Sequence, residues 1–200
     1  MSTRPDISDN LIHFTKGNTK DEAFENLYNI IQTRKIYASN NKIKGSYKVV
    51  CFTEAPLFKN GLVNPNNYSQ YSPFGIMFTK KWIFQEGGRP VFYQPDKEFQ
   101  TLPDEIKWRH VRYEPDIESP IDFSWEREWR IKRDALNINP AYAFIVVPNK
   151  NWAQRLKDCY HHEQDMIVRQ YSIIDELIAE MAREQFQWQI RFLDQDEEER

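Results

Sequence analysis

Residues 124–131 read Ser-Trp-Glu-Arg-Glu-Trp-Arg-Ile and alternate between two kinds of side chain. In an extended strand, successive side chains point to opposite faces of the sheet. One face would carry Trp125, Arg127, Trp129 and Ile131, and the other Glu126, Glu128 and Arg130. The pattern predicts a strand over 125–132 with one face on a core. The charged face is either solvent-exposed or the floor of an active site, and the alternation alone favours solvent exposure.

The rest of the chain mixes strand and helix patterns without regular βαβ alternation, which predicts an α+β fold. Alternating or β-branched runs predict strands over 11–15, 47–53, 74–79, 90–94, 125–132 and 142–147. Capping residues and helical spacing predict helices over 20–34, 80–85, 98–106, from Asn149 to about 158, and 172–189. The segment 55–73, rich in Pro, Asn, Gly and Ser, is expected to be a long loop.

Size and composition indicate a single domain. The 200 residues are 40% hydrophobic and 28% charged, which is ordinary for a globular protein. We expect one domain over 1–190 and an acidic tail over 191–200, because residues 194–200 contain five acids and one base. No apolar run approaches membrane-spanning length, the first ten residues lack a secretory signal, and the two cysteines suggest no disulfide framework. A cytoplasmic protein with no membrane partner is expected.

Charge is unevenly distributed along the chain. Residues 34–95 contain nine bases, including Lys48, and two acids, and aromatic residues are interleaved with them. Bases and exposed aromatic rings suit single-stranded nucleic acid, because rings stack on bases and cations meet phosphates. A basic face without a partner explains the same pattern equally well.

The sequence predicts no metal site. It has no P-loop, Rossmann fingerprint or zinc-finger spacing. The only cluster of potential ligands, around Cys159, His161 and Glu163, does not have the spacing of a zinc site. Cys51 lies in an apolar strand and is expected to be a buried thiol rather than a nucleophile.

Several short motifs resemble a known family. Ile12-His13-Phe14-Thr15, followed by a helix and then by residues 35–38, is similar to the opening of DarT-type ADP-ribosyltransferases. Residues 50–57, 71–76 and 78–82 resemble abortive-infection proteins of the AbiGi type, which act in phage defence. The Glu-Arg-Glu-Trp-Arg-Ile segment resembles motifs of related defence families. The resemblance implies an ADP-ribosyltransferase-like core, a split mixed β-sheet with flanking helices and a C-terminal helix.

The resemblance also implies roles for individual residues. His13, with Phe14 and Thr15 on the same strand, would hold NAD, Thr53 would shape the nicotinamide pocket, and Glu128 would be catalytic. Three further residues would contact the acceptor: Glu126, Phe74 and Lys48. Apart from the resemblance, the ring of Tyr71 suits stacking on nicotinamide or on a target base, and the guanidinium of Arg89 suits the NAD diphosphate. Core packing for Phe74 and a turn role for Arg89 remain alternatives.

Three functions follow as hypotheses. The first is a NAD-dependent mono-ADP-ribosyltransferase toxin that modifies a base in single-stranded RNA or DNA and is held in check by a neutralising antitoxin. The second is a non-catalytic module or antitoxin with the same fold. The third is a metal-dependent nuclease using Glu54, Glu126 and Glu128. For the first, Glu128→Ala is expected to abolish transfer at little cost in stability, because a solvent-facing residue contributes little.

Overall fold

The structure is a computed structural model that describes residues 7–54, 72–174 and 176–193. The strands are β1 (Asn10–Phe14), β2 (Lys35–Tyr37), β3 (Val49–Thr53), β4 (Gly75–Thr79), β5 (Arg89–Pro90), β6 (Phe92–Gln94), β7 (His110–Arg112), β8 (Glu128–Lys132), β9 (Ala135–Asn137), β10 (Ala143–Val147) and β11 (Gln189–Phe192). The α-helices are α1 (Lys20–Thr33), α2 (Lys80–Gln85), α3 (Lys150–Ser172) and α4 (Glu176–Ala182).

A seven-stranded mixed sheet forms the centre of the protein, in the order β11-β10-β4-β1-β3-β8-β5. Its neighbouring strands are antiparallel except β10 and β11, which are parallel. Two small two-stranded sheets, β2 with β9 and β6 with β7, lie outside it. The α+β prediction is confirmed, and the finer expectation of an ADP-ribosyltransferase-like split sheet stays a prediction.

One face of the large sheet packs against helices, and we call it the helical face. Residues directly opposite each other in paired strands share a face, and Leu11 lies opposite Phe78 in this way. Both have no exposed surface and belong to the same core as Phe24 and Leu27 of α1 and Leu156 of α3. This apolar core fixes the position of β1, β3 and β4.

The opposite side of β3 and β8 carries Cys51, Thr53, Glu128 and Arg130, and we call it the polar face. It is not solvent-exposed, because the backbone of residues 108–110 contacts it. The charged face of the predicted strand is therefore largely buried, contrary to what the alternation alone favours.

Helix α1 forms where the sequence predicts it, because its capping signals are local. The hydroxyl of Thr19 accepts a hydrogen bond from the Glu22 amide, and the Glu22 carboxylate accepts one from the Asn18 amide. Such reciprocal bonds satisfy amides that lack partners inside a helix. The helix ends at Arg34, whose φ of 51° places it in the left-handed region.

The strand predicted over 125–132 begins three residues late. Residues Ser124–Glu126 form a 3-10 turn, and Arg127 has a φ of 47°. A left-handed residue cannot continue an extended strand. Side chains therefore alternate between the two faces of the sheet only from Glu128 onward. Glu126 lies in the turn before the strand, so it does not share a strand face with Glu128.

The C-terminal elements differ more from the sequence prediction. Helix α3 runs on to Ser172 instead of ending near residue 158, and of the helix predicted over 172–189 only α4 is present. Residues Gln189–Phe192 form β11, because they pair with β10 along the edge of the sheet. A local sequence pattern cannot reveal a pairing partner 45 residues away. The tail residues 194–200 lie outside the described residues, and the predicted domain limits stay predictions.

Two predicted elements between β4 and β8 are also corrected. The strand predicted over 90–94 divides at Val91 into β5, which joins the large sheet, and β6, which pairs with β7. Proline at position 90 is compatible with β5 because this is an edge strand. The predicted helix over 98–106 is a 3-10 turn at Asp96–Thr101.

Candidate functional site

Glu128 and Arg130 form a buried ion pair at the centre of the polar face. Arg130 Nε and Nη2 donate to the two carboxylate oxygens of Glu128 at 2.8 and 3.0 Å. Arg130 Nη1 donates to the carbonyls of Trp108 and His110, each at 2.9 Å. The side chain of Arg130 is 5% exposed and that of Glu128 is 12% exposed. A paired charge with its remaining donors satisfied is the form in which buried charges are tolerated.

This pairing contradicts the expectation that Glu128→Ala costs little stability. Removing one partner of a buried ion pair leaves an uncompensated charge, which costs about 3–5 kcal/mol. An alanine variant would therefore confound loss of chemistry with loss of fold. Glu128→Gln also removes the counter-charge of Arg130, but it keeps the side-chain volume and one acceptor oxygen, so it is the better variant.

Tyr93 of β6 is a site residue that the sequence reasoning missed. Its hydroxyl accepts a hydrogen bond from the Glu128 amide at 2.8 Å. Burial raises the pKa of Tyr93 to about 12, and the nearby Glu128 carboxylate acts in the same direction. The phenol is therefore neutral at pH 7 and fixes the start of β8. Nothing in the local sequence separates Tyr93 from the other aromatic residues around it.

Cys51 lies opposite Arg130 on the same face. Burial, followed by the Glu128 carboxylate, raises the pKa of its thiol well above the usual range. A thiol with a raised pKa is a poor nucleophile. The interpretation of Cys51 as a buried thiol rather than a nucleophile agrees with this raised pKa, although its side chain is only partly shielded from solvent.

Thr53 lies directly opposite Glu128 in the β3–β8 pair. Its hydroxyl donates to the carbonyl of Glu126, and the Glu54 amide donates to the carbonyl of Arg127 at 3.3 Å. These bonds hold the 124–127 turn against the end of β3. The structure thus brings Thr53, Glu126 and Glu128 together, although Thr53 itself is buried.

His13 makes one well-defined hydrogen bond. Its Nδ1 lies 2.8 Å from the carbonyl of Cys51. A carbonyl only accepts, so Nδ1 carries the proton and Nε2 is an acceptor in the neutral ring. Burial lowers the pKa of His13, so the ring is neutral at pH 7. Its edge contacts Phe52, with ring centroids 6.0 Å apart.

The strands of His13, Thr53 and Glu128 are neighbours, but the side chains do not share a face. Strand β3 lies between β1 and β8. Ile12 is opposite Thr53, which is opposite Glu128, so these three share the polar face. His13, one residue later, is opposite Ile76 and points to the helical face. His13 and Glu128 can act on one molecule only around the end or edge of these strands.

Three predicted binding residues near the end of β1 make buried packing or hydrogen-bond contacts. The Thr15 hydroxyl donates to the carbonyl of Ala23 at 2.8 Å, and both Thr15 and Phe14 are buried. Phe74 has no exposed surface and packs against Phe24 and Trp152. This packing favours the alternative of a core role for Phe74, and its contact with an acceptor stays a prediction.

The remaining predicted residues are dispersed. Lys48 is exposed and pairs with Asp134 at 3.1 Å. It precedes β3, whose far end carries Thr53, so roughly 16 Å separates the two at about 3.3 Å per residue. Arg89 is in β5, at the edge of the sheet next to β8. Tyr71 lies outside the described residues.

Glu54 belongs to a separate cluster. Its carboxylate accepts from Lys80 Nζ at 2.6 Å and from the indole N–H of Trp129 at 3.0 Å. Glu163, from the Cys159 region, accepts from the Tyr28 hydroxyl at 2.7 Å.

In the described part of the chain, no three His, Cys, Asp or Glu side chains are arranged to hold a metal ion. The same residues contain no helix long and apolar enough to cross a membrane.

Comparisons with known proteins identify no relative. No family model matches the chain, and no curated protein and no solved structure is significantly similar to it.

Proposed function

We propose that the protein is a NAD-dependent mono-ADP-ribosyltransferase that modifies a base in single-stranded nucleic acid in the cytoplasm, as a toxin of a phage-defence system. The observation that carries the proposal is the adjacency of β1, β3 and β8. These strands bear His13, Thr53 and Glu128, the residues to which the resemblance to DarT-type enzymes gives roles. Neighbouring positions for these strands are what a shared NAD site would require.

Glu128 has the chemistry that this transfer needs. As nicotinamide leaves with the electrons of its bond to ribose, positive charge develops at the anomeric carbon. A carboxylate hydrogen-bonded to the adjacent ribose hydroxyl stabilises that charge, as in glycoside cleavage. A nitrogen of the acceptor base then bonds to the anomeric carbon, and its proton passes to the carboxylate. Arg130 occupies one lone pair on each carboxylate oxygen, and the Cys51 thiol hydrogen-bonds to the same carboxylate. The lone-pair capacity that remains would serve these tasks.

His13 would bind rather than react. Because Nδ1 donates to the Cys51 carbonyl, the unprotonated Nε2 can accept a hydrogen bond from a ribose hydroxyl or from the nicotinamide amide. The lowered pKa keeps the ring in this form at neutral pH.

A label-transfer assay tests the proposal and names the acceptor. Purified protein is incubated with NAD labelled in its adenosine part and with separate pools of single-stranded RNA, single-stranded DNA and protein. The proposal expects label on one nucleic-acid pool, lost in Glu128→Gln and kept in Glu118→Gln. Glu118 is an exposed loop residue, so the control makes the same chemical change away from the polar face. Label on the protein pool alone would refute the nucleic-acid acceptor.

A non-catalytic binding module is the second candidate, and the site geometry favours it in one respect. Both oxygens of Glu128 are held by Arg130, and His13 points to the other face of the sheet. A folded protein that neither binds NAD nor releases nicotinamide would support this candidate.

The toxin proposal also requires a neutralising partner, because unrestrained transfer would harm the host. Colony formation by cells that express the protein, with and without its partner, tests this requirement. The wild type should form colonies only with its partner, whereas folded Glu128→Gln should be tolerated alone. Equal toxicity of the two proteins would contradict an activity that depends on Glu128.

A further inference from the structure

Two arginines lie side by side at the outer edge of the large sheet. Arg89 is in β5, and Arg109 precedes β7 and donates from Nε to the carbonyl of Pro90 at 2.8 Å. We call Arg89 and Arg109 the arginine pair. Both side chains are half-buried, and they come from segments about twenty residues apart.

Each guanidinium is held in place by backbone and by an aromatic ring. Arg89 Nη1 donates to the carbonyls of Phe84 and Gly88 at 3.0 and 2.7 Å, and its guanidinium lies 4.0 Å from the centre of the Phe84 ring. The guanidinium of Arg109 lies 4.0 Å from the centre of the Phe92 ring. Stacked and anchored guanidinium groups lose little freedom when they bind a ligand.

The arginine pair has no counter-ion among the residues that the structure describes. Neither guanidinium forms an ion pair there, and the nearby Glu86 carboxylate is bound by Arg133 at 3.0 Å. Burial, followed by the positive charge of Arg89, lowers the pKa of Arg109. Two like charges held together are unfavourable, and a bound anion would remove that penalty.

Most of the donors in the arginine pair are still available. Arg89 uses one of its nitrogens and Arg109 uses one, so the Nη2 of Arg89 and both terminal nitrogens of Arg109 have no hydrogen-bond partner among the described residues. Planar forks of N–H groups match the oxygens of phosphates. We propose that Arg89 and Arg109 form a binding site for phosphate oxygens of a nucleotide, either a diphosphate or the phosphodiester of a nucleic acid.

The position of the arginine pair is compatible with a nucleotide that also reaches Glu128. Arg89 is directly opposite Arg130, which is two residues from Glu128 along β8. This spacing corresponds to roughly 7 Å along the strand and about 5 Å across the pair. The identification of the diphosphate as that of NAD rests on the proposed function, whereas binding of phosphate oxygens does not.

Calorimetric titration with three probes tests the site and separates the two sources of phosphate. The probes are inorganic pyrophosphate, ADP-ribose and a single-stranded oligonucleotide of abasic units, which presents phosphodiesters without bases. Wild type is compared with Arg89→Gln, Arg109→Gln and Arg112→Gln. Arg112 is the matched control, because this exposed arginine already pairs with Glu114.

We expect wild type and Arg112→Gln to bind at least one probe, and each pair variant to bind it tenfold or more weakly. Preference for ADP-ribose identifies a diphosphate site, and preference for the abasic strand identifies a nucleic-acid track. If a glutamine variant does not fold, the corresponding lysine variant, which keeps the charge but loses the fork, should bind with intermediate affinity. No binding of any probe by wild type, or equal binding by all variants, would overturn the proposal. Anion binding without label transfer would leave the arginine pair standing and count against the transferase alone.

Discussion

Glu128 is the residue on which the structure and the proposed chemistry both depend. Its carboxylate neutralises Arg130, which is otherwise enclosed by β8 and by the backbone of residues 108–110. A carboxylate that is half of a buried ion pair is held in a fixed geometry, which the proposed electrostatic role of Glu128 requires.

We expect Glu128→Ala to lower the free energy of unfolding by about 3–5 kcal/mol, because it leaves the charge of Arg130 buried and unpaired. Glu128→Gln also leaves Arg130 without a counter-charge, but it should cost less than the alanine variant, since one acceptor oxygen remains. Urea denaturation measures both, with Glu118→Ala as the exposed control. A loss below about 0.5 kcal/mol for the alanine variant, typical of surface sites, would show that the ion pair does not contribute as described.

The histidines set a pH dependence of stability. Burial lowers the folded-state pKa of His13 and His110 below the ordinary value of 6.5. Below pH 6.5 the unfolded chain therefore binds more protons than the folded one, and the free energy of unfolding falls as pH decreases, by up to about 1.4 kcal/mol per pH unit for each histidine. Denaturation between pH 7.5 and 5 should show this slope, and His13→Asn should make it shallower. An unchanged slope in the variant would contradict the buried neutral imidazole.

The alternating run placed Glu128 and Arg130 on one face, as the structure has them. The catalytic role of Glu128 came from the family resemblance and stays a prediction. Sequence reasoning missed Tyr93 and the carbonyls of Trp108 and His110, which complete the site. Those groups come from a segment whose packing on β8 depends on tertiary contacts and leaves no local pattern.

Helices and strands were predicted correctly where the residues that specify them are close together in the sequence. Helices α1 and α2 formed as expected, because each begins at a threonine whose hydroxyl accepts from an amide three residues later. The 124–127 turn was not predicted, since an alternating sequence gives no sign of the left-handed residue at Arg127. Strand β11 was missed because its stability comes from β10.

Close packing of β4 against β1 requires the glycine at position 75. A Cβ there would lie 2.6 Å from the backbone carbonyl oxygen of His13. We expect Gly75→Ala to lower the free energy of unfolding by about 1–3 kcal/mol, as overpacking does, and to displace the backbone of His13. Thermal unfolding and the chemical shifts of the His13 ring measure the two effects. An unchanged melting temperature would show that β4 can move away without cost.

The hairpin of α3 and α4 exposes large apolar side chains, among them Ile173, 86% exposed, and Met181, 79% exposed. Side chains already in water contribute little to folding, so Ile173→Ser combined with Met181→Ser should change the free energy of unfolding by less than about 0.5 kcal/mol per site. Leu156→Ala, in the buried part of α3, should cost about 2–5 kcal/mol. Chemical denaturation compares them, and a large loss from the serine pair would mean that these residues are covered in solution.

At the scale of the whole molecule, the central result is the order of strands in the large sheet. The sequence predicts strands but not which of them are neighbours, because neighbours such as β1 and β3, or β3 and β8, are joined only by long-range contacts. The order β1-β3-β8 brings together the three strands to which the family resemblance gives roles. The same sheet also separates His13 from Glu128, since its pleat directs them to opposite faces, and no sequence pattern predicted this.

The most direct test of the proposed function is the rate of label transfer from NAD to single-stranded nucleic acid. The rate is measured for wild type, Glu128→Gln and Glu118→Gln, and a cooperative unfolding transition shows that each protein is folded. The account predicts transfer by wild type and Glu118→Gln, and a rate lower by about 100-fold or more for Glu128→Gln, the usual effect of removing a group that stabilises transition-state charge. Transfer by folded Glu128→Gln at the wild-type rate, or no transfer by any of the three, would contradict it.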